Sequence, residues 1–359
     1  MALRPARTYN QDHVARPLDG RRRVSIYWTW SYPWEAQRDP AAMSNRFSTM
    51  TEVRNVAYPN YETPEFGAAN FLQGIAGTLE LFHRSTLAFQ DLVTELTEHP
   101  VGVFQRVDQA GYAQPIDERI LADTDTLMVF GLDHLNSELE ATRGEVEALR
   151  EWLRREGTCL LLAPHHDVGF TDDLNQRQIE YEHHGDRLVP RQQRFSRYTR
   201  SLMRALGVPV HNIWGLRPAV VDGTRDPLAL NAYRDFDEKG LLDGVPALSF
   251  HQHLPHYELT APEGANLRVL ARQPIDPYRP HPFTDAGNTA FNAVIWMPPD
   301  GDRAGDIVLL DSTHSARRPA CATCGATSRR WPTERQSGIS PTLFASATAS
   351  LRDVTPSLR

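Results

Sequence analysis

Asp125-Thr-Leu-Met-Val-Phe-Gly131 and Thr158-Cys-Leu-Leu-Leu-Ala163, with an amphipathic stretch between them, decide the fold of this chain. Each is a short, almost uninterrupted apolar run, the pattern of a strand covered on both faces. Between them Ser137-Glu-Leu-Glu140 has the spacing of a capping box, and Leu139, Val146, Leu149 and Leu153 mark one apolar helical face that Gly157 closes. Strand, helix, strand predicts a right-handed βαβ crossover with parallel strands. The loop Pro164-His-His-Asp-Val-Gly169 then falls at a strand C-terminal end, where open α/β sheets build their sites.

Working outward, Val24-Ser-Ile-Tyr-Trp28 reads as a first strand, Phe71 to Leu96 as a long helical stretch and Val101-Gly-Val-Phe104 as another strand. Phe195 to Leu206 predicts a helix closed by Gly207, followed by Val208-Pro-Val210. Further strands are expected at Ala219–Val221, Leu267–Leu270, Ala293–Trp296 and Asp306–Leu310. The expected class is α/β: a mostly parallel sheet flanked by helices, Rossmann-like and amidotransferase-like, with a polar insertion. The expected organisation is an N-terminal extension over 1–19, one α/β domain over 20–314 with the insertion around 168–215, and a basic low-complexity tail over 315–359, read as disordered.

Composition narrows the function. The chain has 359 residues, 40% of them hydrophobic, enough for a sizeable core. No apolar run reaches membrane-spanning length and the N-terminus lacks a secretory apolar core, so a cytoplasmic protein without membrane partners is expected. Three cysteines fit a reducing compartment; Cys159 sits in an apolar run, and the C-x-x-C of Cys321 and Cys324 lacks the second pair a zinc site needs. Lys239 is the sole lysine, in a polar stretch read as exposed, and there is no GK[ST] loop for phosphates. Of the net charge of −7, the tail contributes seven Arg against Glu334 and Asp353, so the acidic excess lies in the body, a poor footprint for nucleic acid. A small-molecule substrate is the expected partner, with a homo-oligomer an open possibility.

Nine of the fourteen histidines fall between His165 and His281, several beside carboxylates. Imidazole ligates divalent metals and titrates near neutrality, so a convergent set can hold a metal or pass protons. His165 and His166 close the second strand, with Asp167 as ligand, orienting partner or acid–base group. In an extended strand His251 and His253 share one face, as two ligands of one ion require. These four histidines are the candidate ligands of a divalent ion, zinc or similar. Glu182, His183, His184 and Asp186 lie in a polar stretch without clear periodicity, read as loop or lid; Glu182 and His184 are the candidate proton carriers. Trp28, Trp30 and Trp34 follow the first strand, and Trp28 and Trp30 are candidate substrate contacts, with Arg217 as an anion anchor. His281, between two prolines, is read as structural.

The order of strand, capped helix, Gly, strand and polar loop, followed by Gly244-Val-Pro-Ala-Leu-Ser-Phe-His251, resembles the class I glutamine amidotransferase-like superfamily, especially its ThuA-like branch. That resemblance implies a working residue after the second strand and a later His closing the site. A glutaminase also needs a Cys nucleophile at that elbow, and here the position reads Pro164-His165-His166-Asp167. The stretch Glu182-His-His184-Gly185-Asp-Arg-Leu188 resembles the E-x-H-G-x-x-L signature of creatininase-type metal amidohydrolases, although those enzymes carry it soon after an early strand. Together these readings lead to an expected metal-dependent hydrolase of a small polar molecule, cleaving a C–N bond. The alternatives are a non-catalytic ThuA-like module that binds a small ligand or partner, and a metal-free His/Asp acid–base enzyme.

Overall fold

The computed structural model describes residues 15–30, 89–106, 113–133, 139–169, 171–184, 194–212, 214–224, 226–245, 248–249, 254–261, 265–310 and 315–316. In chain order the elements are β1 (Val24–Trp30), β2 (Gly102–Gln105), α1 (Glu118–Leu121), β3 (Thr126–Leu132), α2 (Arg143–Trp152), β4 (Cys159–Pro164), α3 (Leu174–His184), α4 (Arg197–Ala205), β5 (Val210–His211), β6 (Gly215–Leu216), β7 (Asn231–Ala232), β8 (Leu248–Ser249), β9 (Leu254–Pro255), β10 (Glu258–Leu259), β11 (Arg268–Pro274), α5 (Pro282–Asp285), β12 (Ala290–Met297), β13 (Asp306–Leu309) and β14 (Ser315–Ala316). Residues 89–97 add a further helical stretch.

Eight strands form one sheet in the order β2-β1-β3-β4-β13-β12-β11-β7. The first five pair in parallel, and β12, β11 and β7 continue the sheet antiparallel. This is the expected α/β class. The reason lies in period-two burial on both faces: along β3, Met128 and Phe130 join one core, Leu127 and Val129 the other. Residues 89–97 and 241–245 cover the first face; α1, α2 and α4 cover the second. Because α4 supplies Tyr198, Leu202 and Met203 to the second core, the span 168–215 contributes to the main packing. Cys159 is buried, and burial pushes its thiol up to about 12.

Several expectations need correction. The helix after β3 starts at Arg143, capped by Thr142 with Glu145 completing the box, whereas Ser137 lies outside the described residues. Both positions carry the S/T-x-x-E pattern. Tertiary partners choose the second: the buried Glu145 carboxylate accepts from Tyr198 Oη at 2.7 Å, the Ile116 amide at 3.0 Å and the Thr142 amide at 2.9 Å, and pairs with Arg106 at 3.0 Å. Ala219–Val221 is not a strand; only isolated bridges form at Pro218 and Val220. Lys239 is half-buried, its Nζ 2.5 Å from Asp306. Within the span read as the N-terminal extension, Arg16 is buried and bonds Asp123, Ser25 and Pro100, which leaves that reading untouched. Trp34, His251, His253, the segment 185–193 and the tail beyond 316 lie outside the described residues. Among the described residues no helix is long and apolar enough to cross a membrane.

Glu145→Gln leaves the Arg106 guanidinium buried without its counter-charge, and breaking such a pair costs about 3–5 kcal/mol. Urea unfolding of this variant should show that loss, and a companion Arg106→Met substitution should recover part of it.

Candidate functional site

The parallel strands end in a crowded polar layer. Ser196, just before α4, adopts a left-handed conformation (φ 61°, ψ 38°), a cost of about 1–2 kcal/mol for a non-glycine residue. Three bonds hold it there: its hydroxyl donates to the Gly131 carbonyl at 2.6 Å and accepts the His165 amide at 2.5 Å, and its own amide donates to the Asp133 carbonyl at 2.6 Å. Ser196 makes no side-chain cap of α4. Asp133, at the end of β3, takes that role, accepting the Tyr198 amide at 3.0 Å and the Thr29 hydroxyl at 2.7 Å. Burial pushes the Asp133 carboxyl above its usual range, opposed by those bonds.

The turn after β4 is where the sequence placed it, and all three candidates there are buried. Asp167 is fully engaged. It accepts the Phe195 amide at 2.9 Å, pairs with Arg200 at 2.9 Å and stands 3.6 Å from Arg194. Arg200 also holds Asn212 through its side chain and carbonyl. The His165 ring lies 4.2 Å from that of His166 and edge-on to Phe195. His166 packs on Gly215 so closely that a Cβ there would fall 2.1 Å from the ring, which requires glycine.

Residues 214–216 join this turn to the 254–257 segment. Trp214 bridges Asp167, β6 pairs with β9, and the His256 amide donates to the Trp214 carbonyl at 2.9 Å. The structure thus brings the neighbourhoods of His166 and His256 together. His251 and His253 fall just before β9, outside the described residues. Among the described residues no group of three His, Cys, Asp or Glu is arranged to hold a metal ion.

From Trp214 a chain of rings runs through His281 (5.2 Å) to His183 (4.8 Å), and through Phe283 (5.7 Å) to His256 (4.6 Å). These imidazoles serve the backbone. His183 Nε2 accepts the Arg217 amide at 2.9 Å while Nδ1 faces the Arg279 carbonyl at 3.0 Å. An amide only donates and a carbonyl only accepts, so this ring is neutral with its proton on Nδ1. His281 Nδ1 accepts the Phe283 amide, capping α5, as the structural reading of that residue required. His256 Nδ1 accepts the Asn292 amide at 3.2 Å. Burial brings His281 down to about 3; burial, then Arg272, brings His256 down to about 4.

Glu182 and His183 lie on a helix, α3, and not in a loop. The sequence hid it because its inner face is made of Glu180, Tyr181 and His183 in place of aliphatic residues. Glu182 is exposed and accepts from the Gln178 side chain at 2.6 Å. It lines a cleft of about 740 Å³ bounded by α3, residues 219–228 and the loop 276–280. Ile179, Val220 and Leu228 form its apolar part; Asp222, Asp276 and Arg279 bring charge. Arg217 stands behind it, 3.8 Å from Asp276, and burial, then Arg279, lowers its pKa. Trp28 lies in the core, stacked on Phe130 at 4.5 Å. The side chains of Trp30 and His184 are outside the described residues.

Sequence reading passed over Asp222, Asp276, Tyr278 and Arg279. A signal was present: Pro274, Pro277, Pro280 and Pro282 fall within nine residues, marking a stiff loop able to form a cleft wall.

No protein-family model matches the chain, and no curated protein matches it. Among solved structures it is similar to a ThuA-like protein from Bacteroides uniformis, at 10% identity, a TM-score of 0.36 and coverage of 95% of both chains. It is also similar to the mmIFT52 N-terminal domain, at 10% identity, a TM-score of 0.33 and coverage of 62% of this chain and 78% of that one.

The neutral state of His256 and His281 makes stability pH-dependent. Their pKa values are depressed on folding, so below about 6.5 the unfolded chain binds more protons, and stability falls as pH drops toward 4 and 3. Chemical denaturation should show a loss on the order of a few kcal/mol between pH 7 and pH 4. His281→Asn keeps a capping group but cannot titrate in this range, and should flatten that slope.

Proposed function

We propose that this chain is a small-ligand-binding module built on an amidotransferase-like, ThuA-like α/β scaffold, with its ligand in the cleft between α3 and the 276–280 loop. One observation carries this reading. The cleft combines a volume of about 740 Å³ with apolar and charged side chains along its lining, the make-up of a small-molecule site. Its walls are braced by His183, which bonds the Arg217 amide and faces the Arg279 carbonyl, and by Arg279, which donates to the Glu182 carbonyl at 2.8 Å. Such bracing keeps a site preformed and lowers the ordering cost of binding.

Val220 lines the cleft and is partly exposed, so Val220→Trp should fill the space without disturbing the core. A small-molecule library screened by thermal shift should yield compounds that raise the melting temperature of the wild type and leave Val220→Trp unchanged. At a hundredfold excess over Kd, binding adds about 2.7 kcal/mol to stability. Hits that stabilise both proteins equally would remove the cleft from consideration.

A second reading is favoured by the convergence of the 165–167 turn with the 254–257 segment across residues 214–216. Here His165, His166, His251 and His253 hold a divalent ion for C–N bond hydrolysis, and Glu182 or His184 moves the proton. The ion would supply Lewis-acid polarisation of the scissile carbonyl. Asp167 does not fit as a ligand, because its carboxylate is committed to Arg200 and the Phe195 amide. Elemental analysis of the purified protein should then find one ion per chain, lost in a His165→Ala/His253→Ala variant; a metal-free wild type with no chelator-sensitive turnover leaves only the binding module.

A further inference from the structure

The charge around the cleft indicates what kind of ligand it takes. Asp276 is met by two guanidinium groups, Arg279 at 3.5 Å and Arg217 at 3.8 Å, and its carboxylate also accepts the Tyr278 amide at 3.0 Å. Glu182 and Asp222 differ from it among the described residues. Among the described residues the Glu182 carboxylate bonds the neutral Gln178 amide, and neither it nor Asp222 has a cationic partner there. Beside them Tyr278 is 88% exposed, although it lines the same space as the apolar side chains Val220 and Leu228. An uncovered aromatic ring, a hydrocarbon wall and two carboxylates without a cationic partner among the described residues are the elements that recognise an ammonium group carried on an apolar body.

Resting on the cleft reading above, we infer that its ligand is a small organic cation, an aliphatic or arylalkyl amine. Its ammonium head points to the carboxylates of Glu182 and Asp222, and its apolar body lies along Val220, Leu228 and the Tyr278 ring. An anionic ligand of the same size would meet those two carboxylates while Arg279 and Arg217 are already engaged with Asp276.

Three probes of nearly equal shape separate the possibilities: 2-phenylethylamine, 2-phenylethanol and 3-phenylpropanoate, titrated into the full chain at low salt and followed by calorimetry or ligand-observed NMR. The amine should bind about tenfold more tightly than the alcohol, and the propanoate more weakly than either. Glu182→Gln/Asp222→Asn, both at exposed positions, should bring the amine to the affinity of the alcohol, with folding checked by melting temperature. Tyr278→Ala should weaken the amine and the alcohol alike, because the ring meets the apolar body that both share. Equal affinity for amine and alcohol, or a preference for the propanoate, overturns the cation assignment while leaving the cleft as a binding site. Absence of binding by all three, or binding that survives Val220→Trp, removes the cleft itself and the inference with it.

Discussion

The ion pair between Asp167 and Arg200 fixes the end of the molecule on which the candidate chemistry depends. Asp167 is completely buried, and a buried carboxylate persists only where its charge and lone pairs are met. Arg200 and the Phe195 amide meet them. Through Arg200 the turn after β4 is joined to α4 and Asn212, and through the Asp167 bridge to Trp214 it seats residues 214–216 against the His166 ring. With that strand in place β9 pairs to β6, and Arg217 presents its amide to His183. Each step is a hydrogen bond or close contact between buried or partly buried groups, so each constrains the next.

This sequence of constraints turns the local histidines into structural parts. A neutral imidazole offers one donor and one acceptor on a rigid ring, which suits it to join two backbone groups in a dry interior. His183 does so between Arg217 and Arg279; His281 and His256 each accept one backbone amide. The same burial that makes these bonds strong keeps His281 and His256 neutral far below the ordinary histidine range. Dense histidine in a sequence is therefore compatible with two chemistries, ligation and backbone support, and the partners met by the ring nitrogens select between them.

The surface cleft follows from the same architecture. Its walls come from a helix and two loops distant in sequence, and the bonds that brace them are made on their inner sides, leaving Glu182, Asp222 and Tyr278 to face outward. A rigid scaffold carrying its recognition groups on loops outside the sheet is the usual division of labour in α/β proteins.

The sheet and its parallel strands were legible because strands covered on both faces must be apolar along their length, as Leu127–Phe130 and Cys159–Ala163 are. The place of the 165–167 turn followed from the same pattern. Position alone could not give the roles of these residues, because whether Asp167 is a ligand or an anchor depends on Arg200, thirty-three residues away. Helix α3 escaped notice because it buries Glu180, Tyr181 and His183, whose partners exist only in the folded chain. Likewise the choice of Thr142 over Ser137 as the cap of α2 rests on what Glu145 meets across the core. Local periodicity determines which segments form strands; only long-range partners, which desolvate and satisfy particular polar groups, decide what those groups do.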